Sequence, residues 1–181
     1  MHSSVELMPD LVVLEPRVHS DSRGFFFEAY NRSDFVEATG LDVTFVQDNQ
    51  SRSVQGVVRG LHYQNPAPQG KLVRVVAGRV WDVAVDLRRS SETFGKWFGL
   101  ELSAENNLQL WIPPGFAHGF VTLSNVADMI YKATDFYQPE YDRALRWNDP
   151  SVAVEWPGGI EPVLSAKDEA APLLADAVLF D

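Results

Sequence analysis

Residues 71–87 read K-L-V-R-V-V-A-G-R-V-W-D-V-A-V-D-L, two apolar runs separated by Ala77 and Gly78. Such runs around a small-residue turn predict two consecutive strands. Further short apolar runs follow on both sides, with Pro and Gly turns between them, at residues 57–64, 97–103, 108–123 and 127–137. Many short strands with little helix are typical of an antiparallel sandwich or barrel. The sequence therefore predicts an all-β fold, with a jelly roll as the commonest small form that has a ligand-sized mouth.

The N-terminal part adds shorter elements. Residues 11–14 predict a strand, and turn residues 21–24 precede an aromatic run, residues 25–30, that suits another strand. Residues 31–40 predict a helix with Asn31 or Ser33 as N-cap and Gly40 as its end.

Two further elements carry polar residues. Residues 44–50 predict a strand that places Gln47 and Asn49 on one face, because side chains alternate along a strand. Near the C-terminus, residues 165–168 read S-A-K-D, a capping box ahead of an alanine-rich helical stretch.

Composition limits the class of protein. The 181 residues suit one domain, 1–181, and contain no cysteine, which excludes disulfides and thiolate chemistry. The formal net charge of −10 opposes binding to nucleic acid or to anionic membranes. The first residues show no basic and apolar leader, and no stretch is long enough for a membrane span, so we expect a cytoplasmic protein.

His62 is the most chemically useful residue, because a neutral imidazole can take a proton near pH 7. It lies in V-V-R-G-L-H-Y-Q, residues 57–64. In a regular strand Arg59 and His62 would point to opposite faces, so both can serve one pocket only if the strand bends or bulges at Gly60. Taken alone, this segment favours a hydrogen-bonded core histidine, and the rest of the chain shifts the balance towards a functional role.

A metal site is poorly supported. The chain has four histidines, His62 begins no H-x-H pair, and no glutamate follows at the spacing of a first-row metal site. P-P-G-F-A-H, residues 113–118, is similar to the second half of the cupin signature, with His118 in the ligand position. With half of the ligand set missing, we expect no catalytic metal.

Two other residues have open alternatives. Tyr131, in the apolar M-I-Y-K, suits either a core phenol or a proton donor. Asp168 is either the third residue of a capped helix or a carboxylate that orients His62. For phosphate, the sequence offers no P-loop, but Arg23, Arg59, Lys71 and Arg74 flank the strands around His62, where guanidinium groups suit a pyrophosphate.

Ten segments occur in an order that resembles the dTDP-4-dehydrorhamnose 3,5-epimerase family, from about residue 11 to the C-terminus. They are R-G-F-F-F-E, F-V-Q-D-N, R-G-L-H-Y-Q, Q-G-K-L-V-R, W-D-V-A-V-D-L-R, L-S-A-E-N, W-I-P-P-G-F-A-H-G-F, Y-K-A-T-D-F-Y, W-N-D-P and L-S-A-K-D. The resemblance implies a metal-free cupin jelly roll that needs no cofactor. It also implies a homodimer in which N-terminal strands contribute to the neighbour's sheet and site.

The implied reaction inverts C3 and C5 of dTDP-4-dehydro-6-deoxy-D-glucose to give dTDP-4-dehydro-L-rhamnose. By the resemblance, His62 is the base, Asp168 its carboxylate partner, Tyr131 the acid on the opposite face and Lys71 the cation near the keto oxygen. Residues at implied nucleotide-sugar contacts are Arg23, Glu28, Gln47, Asn49, Arg59, His118 and Lys167, with Tyr137 stacked on thymine. The role of Asp142, in Q-P-E-Y-D-R, stays open.

Three other functions remain compatible with the sequence. A relative in the same class would invert only one of the two carbons. A non-catalytic jelly roll would bind sugar nucleotides or carbohydrate, and a metal-dependent cupin would hold iron, manganese or zinc.

Overall fold

The computed structural model describes residues 3–181 and contains two antiparallel β-sheets and a small hairpin. The first sheet has six strands in the order β1-β2-β10-β7-β12-β5. Their bounds are β1 Ser3–Met8, β2 Leu11–Glu15, β5 Gln47–Val54, β7 Lys71–Ala77, β10 Gln109–Ile112 and β12 Val126–Ala133.

The second sheet has five strands in the order β13-β6-β11-β8-β9. Their bounds are β6 Val58–Gln64, β8 Arg79–Asp86, β9 Trp97–Ser103, β11 Phe116–Thr122 and β13 Asp142–Ala144. The remaining strands, β3 His19–Asp21 and β4 Gly24–Phe26, pair only with each other as a hairpin. Two helices, α1 Arg32–Thr39 and α2 Ala166–Glu169, and two 3₁₀ turns, Pro139–Tyr141 and Leu174–Asp176, complete the described chain.

The core lies between the two sheets. Val73 and Met129 from the six-stranded sheet pack with Ala84 and Phe120 from the five-stranded sheet, and all four are at most 5% exposed. Neighbouring pairs such as Tyr131 and Val73 place their side chains on the same face because they are register partners. The inner faces therefore form one apolar layer that becomes polar towards the β6 and β12 ends that carry His62 and Tyr131.

Both outer faces are also covered. Phe35 of α1 packs on Trp111 of the six-stranded sheet, with ring centroids 5.1 Å apart. The C-terminal segment covers the five-stranded sheet, where Phe180 contacts Tyr63 at 5.7 Å between ring centroids. Strands buried on two faces read as continuous apolar runs, which explains why residues 71–87 show little alternation.

Most sequence-based predictions of elements are confirmed. The turn at Ala77 and Gly78 joins β7 to β8, and residues 11–14 fall within β2. Helix α1 has Asn31 as its N-cap, accepting from the backbone of Ser33 and Asp34, and ends at Gly40 in the left-handed conformation. The all-β prediction is confirmed, whereas the prediction of a single domain over 1–181 stays a prediction, since residues 1 and 2 lie outside the described part.

Three predicted elements differ from the structure. The aromatic run predicts a strand to residue 30, but β4 ends at Phe26. The chain then crosses the outer face of the six-stranded sheet, where Phe27 contacts Arg74 and the Ala29 carbonyl accepts from the Gln109 side chain. The strand predicted at residues 44–50 begins later, at Gln47, and extends through a polar stretch to Val54. The alanine-rich helix has a single turn, since Pro172 follows.

Candidate active site

Strand β6 is irregular at Gly60, as the sequence predicts. His62 lies opposite His118 and Arg59 lies opposite Phe120, so β6 uses one more residue than β11 between the two pairs. A Cβ atom on Gly60 would lie 2.6 Å from the Cα of Gly119, and its φ of 121° suits glycine. The bulge lets Arg59 and His62 line the same cavity.

His62 forms a short hydrogen bond to Asp168, with 2.5 Å between Nε2 and Oδ1. An ionised carboxylate only accepts, so Nε2 carries a proton and Nδ1 is the ring nitrogen that can take another. Burial raises the pKa of Asp168, but the hydrogen bonds from His62 and Ser165 and the charges of His62 and Lys167 outweigh it and leave the pKa below its ordinary value. The pair therefore has the arrangement of a base with an orienting carboxylate.

Both alternatives for Asp168 apply at once. Its backbone N–H donates to the Ser165 hydroxyl at 3.1 Å, which caps α2, and its side chain accepts from the same hydroxyl at 2.9 Å through Oδ2. The helix cap thus fixes the carboxylate that holds His62, 106 residues earlier in the chain.

Lys71 lies between the two sheets' functional residues. Its Nζ donates to the His62 carbonyl at 3.4 Å and lies 6.0 Å from the centre of the Tyr131 ring. Burial lowers the pKa of Lys71 to about 8, although Asp142 and Asp82 act in the opposite direction. An ammonium in such a dry place is suited to stabilise an anion.

Tyr131 comes from the six-stranded sheet and His62 from the five-stranded sheet, and both line one cavity of about 310 Å³. Burial raises the pKa of Tyr131, Arg59 opposes this and Asp142 adds to it. The phenol is therefore protonated at neutral pH and available as an acid. A base and an acid on facing sheets can act on opposite faces of a bound carbon atom.

Tyr137, Asp142 and Lys167 form a cluster at the same cavity. One carboxylate oxygen of Asp142 accepts from the Tyr137 hydroxyl at 3.0 Å and also from the Lys167 ammonium. The backbone N–H of Tyr137 donates to Gln47 at 2.9 Å, and the Gln47 amide donates to Asn49 at 2.9 Å. The structure therefore places Asp142 at the cavity and confirms that Gln47 and Asn49 share a face.

His118 also lines the cavity, and its Nε2 lies 2.9 and 3.1 Å from the two carboxylate oxygens of Asp82. Sequence reasoning missed Asp82. The signal that could have found it is a carboxylate inside the apolar run of residues 80–85 in strand β8.

Arg23 and Glu28 lie elsewhere in the chain. The Arg23 side chain is 88% exposed on the β3–β4 hairpin and pairs with Asp21, while Glu28 accepts weakly from Asn31 at 3.5 Å. Neither lines the cavity that contains His62. Their predicted contacts with a nucleotide sugar stay predictions, since within this subunit both residues lie outside the lining of that cavity.

A metal-binding cluster is not found among the described residues, where no three His, Asp or Glu side chains are arranged to hold an ion. None of the helices in that part of the chain is long and apolar enough to cross a membrane.

A histidine and a tyrosine that reach one cavity from the two sheets of a jelly roll suit an enzyme that moves protons, as many isomerases do. Comparison with known proteins agrees. The family model described as dTDP-4-dehydrorhamnose 3,5-epimerase matches residues 6–176. A Pseudomonas aeruginosa dTDP-4-dehydrorhamnose 3,5-epimerase is 58% identical over 173 residues, 96% of this chain and 96% of the relative. The chain belongs to the dTDP-4-dehydrorhamnose 3,5-epimerase family.

Solved structures support the same assignment. The Legionella pneumophila dTDP-6-deoxy-D-glucose-3,5-epimerase in complex with dTDP-4-keto-L-rhamnose has a TM-score of 0.93 at 50% identity, covering 96% of this chain and 93% of that one. A 3'-monoepimerase from Streptomyces bikiniensis in complex with dTDP-quinovose has a TM-score of 0.88 at 35% identity, covering 94% and 86%. The predictions of the family, the cupin-type jelly roll and the isomerase class are confirmed, and the residue roles stay predictions.

Proposed function

We propose that this protein converts dTDP-4-dehydro-6-deoxy-D-glucose to dTDP-4-dehydro-L-rhamnose by inverting C3 and C5. One observation carries the proposal: His62 and Tyr131 reach a single cavity from opposite sheets, with the Lys71 ammonium between them. Each inversion removes a proton beside the C4 ketone and returns one to the other face. The proton moves but no electron is gained or lost, so no redox cofactor is required.

In the proposed mechanism, Nδ1 of His62 takes the proton from the carbon next to the ketone. The resulting enolate carries its negative charge on the former keto oxygen, where the buried Lys71 ammonium stabilises it. The Tyr131 hydroxyl then donates a proton to the opposite face of the same carbon. Asp168 holds His62 in the tautomer that leaves Nδ1 free.

The nucleotide part is proposed to lie at the cavity mouth. Within residues 3–181 the Arg59 guanidinium donates to Ser53 and to the Arg52 carbonyl and to no carboxylate, so it can accept a diphosphate as its anion. Lys167 adds a second cation, and the half-exposed ring of Tyr137 offers a surface on which thymine can stack. Gln47, Asn49 and His118 supply polar groups around the same substrate.

The decisive experiment is incubation with dTDP-4-dehydro-6-deoxy-D-glucose in heavy water, followed by NMR of the sugar ring. The proposal expects deuterium at both C3 and C5 and the L-rhamno product. Deuterium and inversion at one carbon alone would assign a single-carbon epimerase, and no exchange at either would indicate a protein that only binds the sugar nucleotide.

Two variants test the roles of the base and the acid. His62→Asn is expected to abolish exchange while dTDP still binds, and Tyr131→Phe to retain part of the exchange but lose inverted product. Tyr30→Phe, a phenol on the outer face of the six-stranded sheet packed against Phe35 and Phe45, is the matched control and should keep the parent rate. Full exchange in His62→Asn, or product at the parent rate in Tyr131→Phe, would remove that residue from the mechanism.

We further propose a homodimer in which the β3–β4 hairpin of each subunit completes the other subunit's site with Arg23 and Glu28. Support comes from Phe25 and Phe26 on that hairpin, which are 63% and 68% exposed, an unfavourable state for large apolar side chains in an isolated subunit. The proposal also accounts for the position of Arg23 outside its own subunit's cavity.

Mixing inactive variants tests this arrangement. Arg23→Ala and His62→Asn place their defects in different sites of a mixed dimer, so one intact site forms and random mixing should restore about a quarter of parent activity. Failure of the mixture to recover, with subunit exchange shown by mass spectrometry, would place Arg23 in its own subunit's site or outside the mechanism. The cytoplasmic location remains a proposal as well, and cell fractionation would test it.

A further inference from the structure

Strand β8 carries two fully buried carboxylates with different surroundings. Asp86 accepts from Arg88, Ser91 and Thr93, and these hydrogen bonds outweigh its burial, so the pKa of Asp86 is lowered. Asp82, also 0% exposed, has one hydrogen-bond donor among the described residues, Nε2 of His118, shared between its two oxygens. Hydrogen bonds from the turn that follows β8 thus compensate the buried charge of Asp86, whereas Asp82 has no such set of donors among the described residues.

A buried charge with so little compensation costs stability. Burial raises the pKa of Asp82, and the charge and hydrogen bond of His118 and the charge of Lys71 only oppose that change. An asparagine of the same size would keep an oxygen that accepts from His118 and would avoid the cost of burying a charge. Fold stability therefore gives no reason for a carboxylate at this position.

Asp82 instead lies next to residues of the proposed active site. His118, its hydrogen-bond partner, lies opposite His62 in the neighbouring strand and lines the cavity. Asp82 lies directly behind His118, which lines one cavity together with Lys71, and the charge of the Asp82 carboxylate acts to raise the pKa of Lys71. One carboxylate behind the cavity wall thus acts on two of the groups proposed to face the substrate.

We propose that Asp82 is a positioning residue of the epimerase site, which orients His118 as a donor and keeps Lys71 protonated where the enolate oxygen forms. This inference rests on the proposed function. Because an ionised carboxylate only accepts, its hydrogen bond with His118 holds a proton on Nε2. Its negative charge favours the ammonium form of Lys71 over the neutral amine, which could not stabilise an enolate by charge.

The ionisation of Lys71 depends on every charged or titratable group around it. These are Arg59, His62 and Tyr63 on β6, Asp82 on β8, His118 on β11, Tyr131 on β12, Tyr137, Asp142 on β13 and Lys167 on α2. Of the two carboxylates that favour the ammonium, Asp142 is also bonded to Tyr137 and Lys167. Asp82 can therefore be altered without disturbing the cluster at the mouth.

The test is Asp82→Asn, which keeps the size of the side chain but removes its charge. We expect the alkaline limb of kcat/KM to move to lower pH by about one pH unit, with KM at neutral pH little changed. The NMR titration of Lys71 in protein labelled with ¹³C-lysine, assigned with Lys71→Arg, should move by the same amount. Thermal unfolding should show no loss of stability.

Asp86→Asn is the matched control on the same strand. It should lower the unfolding temperature, because three donors lose their charged acceptor, and leave the alkaline limb and the Lys71 titration in place. If Asp82→Asn fails to fold, the double variant Asp82→Asn/His118→Gln replaces the hydrogen-bonded pair with two amides that can bond to each other, and the same titration is read in it.

An unmoved Lys71 titration in a folded Asp82 variant would overturn the inference. The titration does not need activity, so it also separates the two proposals. If the parent protein exchanges no deuterium into the sugar, the proposed function fails, and that result leaves the charge coupling between Asp82 and Lys71 to be read directly.

Discussion

The substitution Lys71→Met tests whether the buried lysine proposed to act in catalysis lowers the stability of the folded protein. The side chain is only 9% exposed, and burial lowers its pKa from 10.5 to about 8. That difference corresponds to about 3 kcal/mol, at about 1.4 kcal/mol for each tenfold change in proton affinity. Methionine has a similar shape and no charge, so at pH 7 the variant should be more stable than the parent by up to about 3 kcal/mol.

The direction of the Lys71 pKa shift determines how the stability difference between Lys71→Met and the parent changes with pH. Between pH 8 and 10.5 the unfolded chain holds a proton on Lys71 that the folded protein has released, so the parent's stability rises with pH in this window. The advantage of Lys71→Met should therefore be greatest below pH 8 and disappear by about pH 10.5. Turnover should fall about 10²–10³-fold, since the enolate oxygen loses a preorganised cation.

Urea unfolding at pH 7 and pH 10, at one protein concentration, measures both quantities. Lys132→Met is the control, because that ammonium pairs with the exposed Asp48 on the sheet's outer face and should change stability by less than about 1 kcal/mol. A Lys71→Met protein that is less stable than the parent at pH 7, or equally more stable at both pH values, would refute the reasoning.

Two further substitutions test the geometry of the site. Asp168→Asn removes the charge from the 2.5 Å bond to His62, which is worth about 1.5–3 kcal/mol, so deuterium exchange should slow about 10- to 100-fold, and a rate within twofold of the parent would contradict the pairing. Gly60→Ala brings a methyl group within 2.6 Å of Gly119 and should lower the free energy of unfolding by about 2–4 kcal/mol. Gly40→Ala, with positive φ but open space, is its control and should cost only about 1 kcal/mol by chemical denaturation.

The sequence predicts the strands and the bulge for clear physical reasons. Arg59 and His62 have the wrong spacing to share a face in a regular strand, and a glycine lies between them, so the bulge is the simplest solution. Helix α1 is equally predictable, because Asn31 and Gly40 have specific backbone roles at its ends.

Contacts between distant segments are not encoded in local patterns. Asp168 reaches His62 across 106 positions; the residue types alone leave this pair as one of two alternatives for Asp168, and the family resemblance favours it. The local pattern around Asp168 indicates a helix cap, which is present, but it carries no information about which strand lies beside the helix. Likewise, the residues around Arg23 do not indicate that the β3–β4 hairpin lies away from the cavity of its own subunit.

The spacing of acid and base depends on the core below them. Met129 lies two residues before Tyr131 on the same face of β12, and it belongs to the core while also lining the cavity. On the five-stranded sheet, Phe120 likewise belongs to the core and lines the cavity, and it lies opposite Arg59 in the neighbouring strand. Because a close-packed interior resists changes in volume, these two side chains fix the separation of the sheets, and with it the distance between His62 and Tyr131. Truncating either side chain should therefore impair inversion more than proton abstraction, since abstraction needs the base alone whereas inversion needs both groups at the right distance.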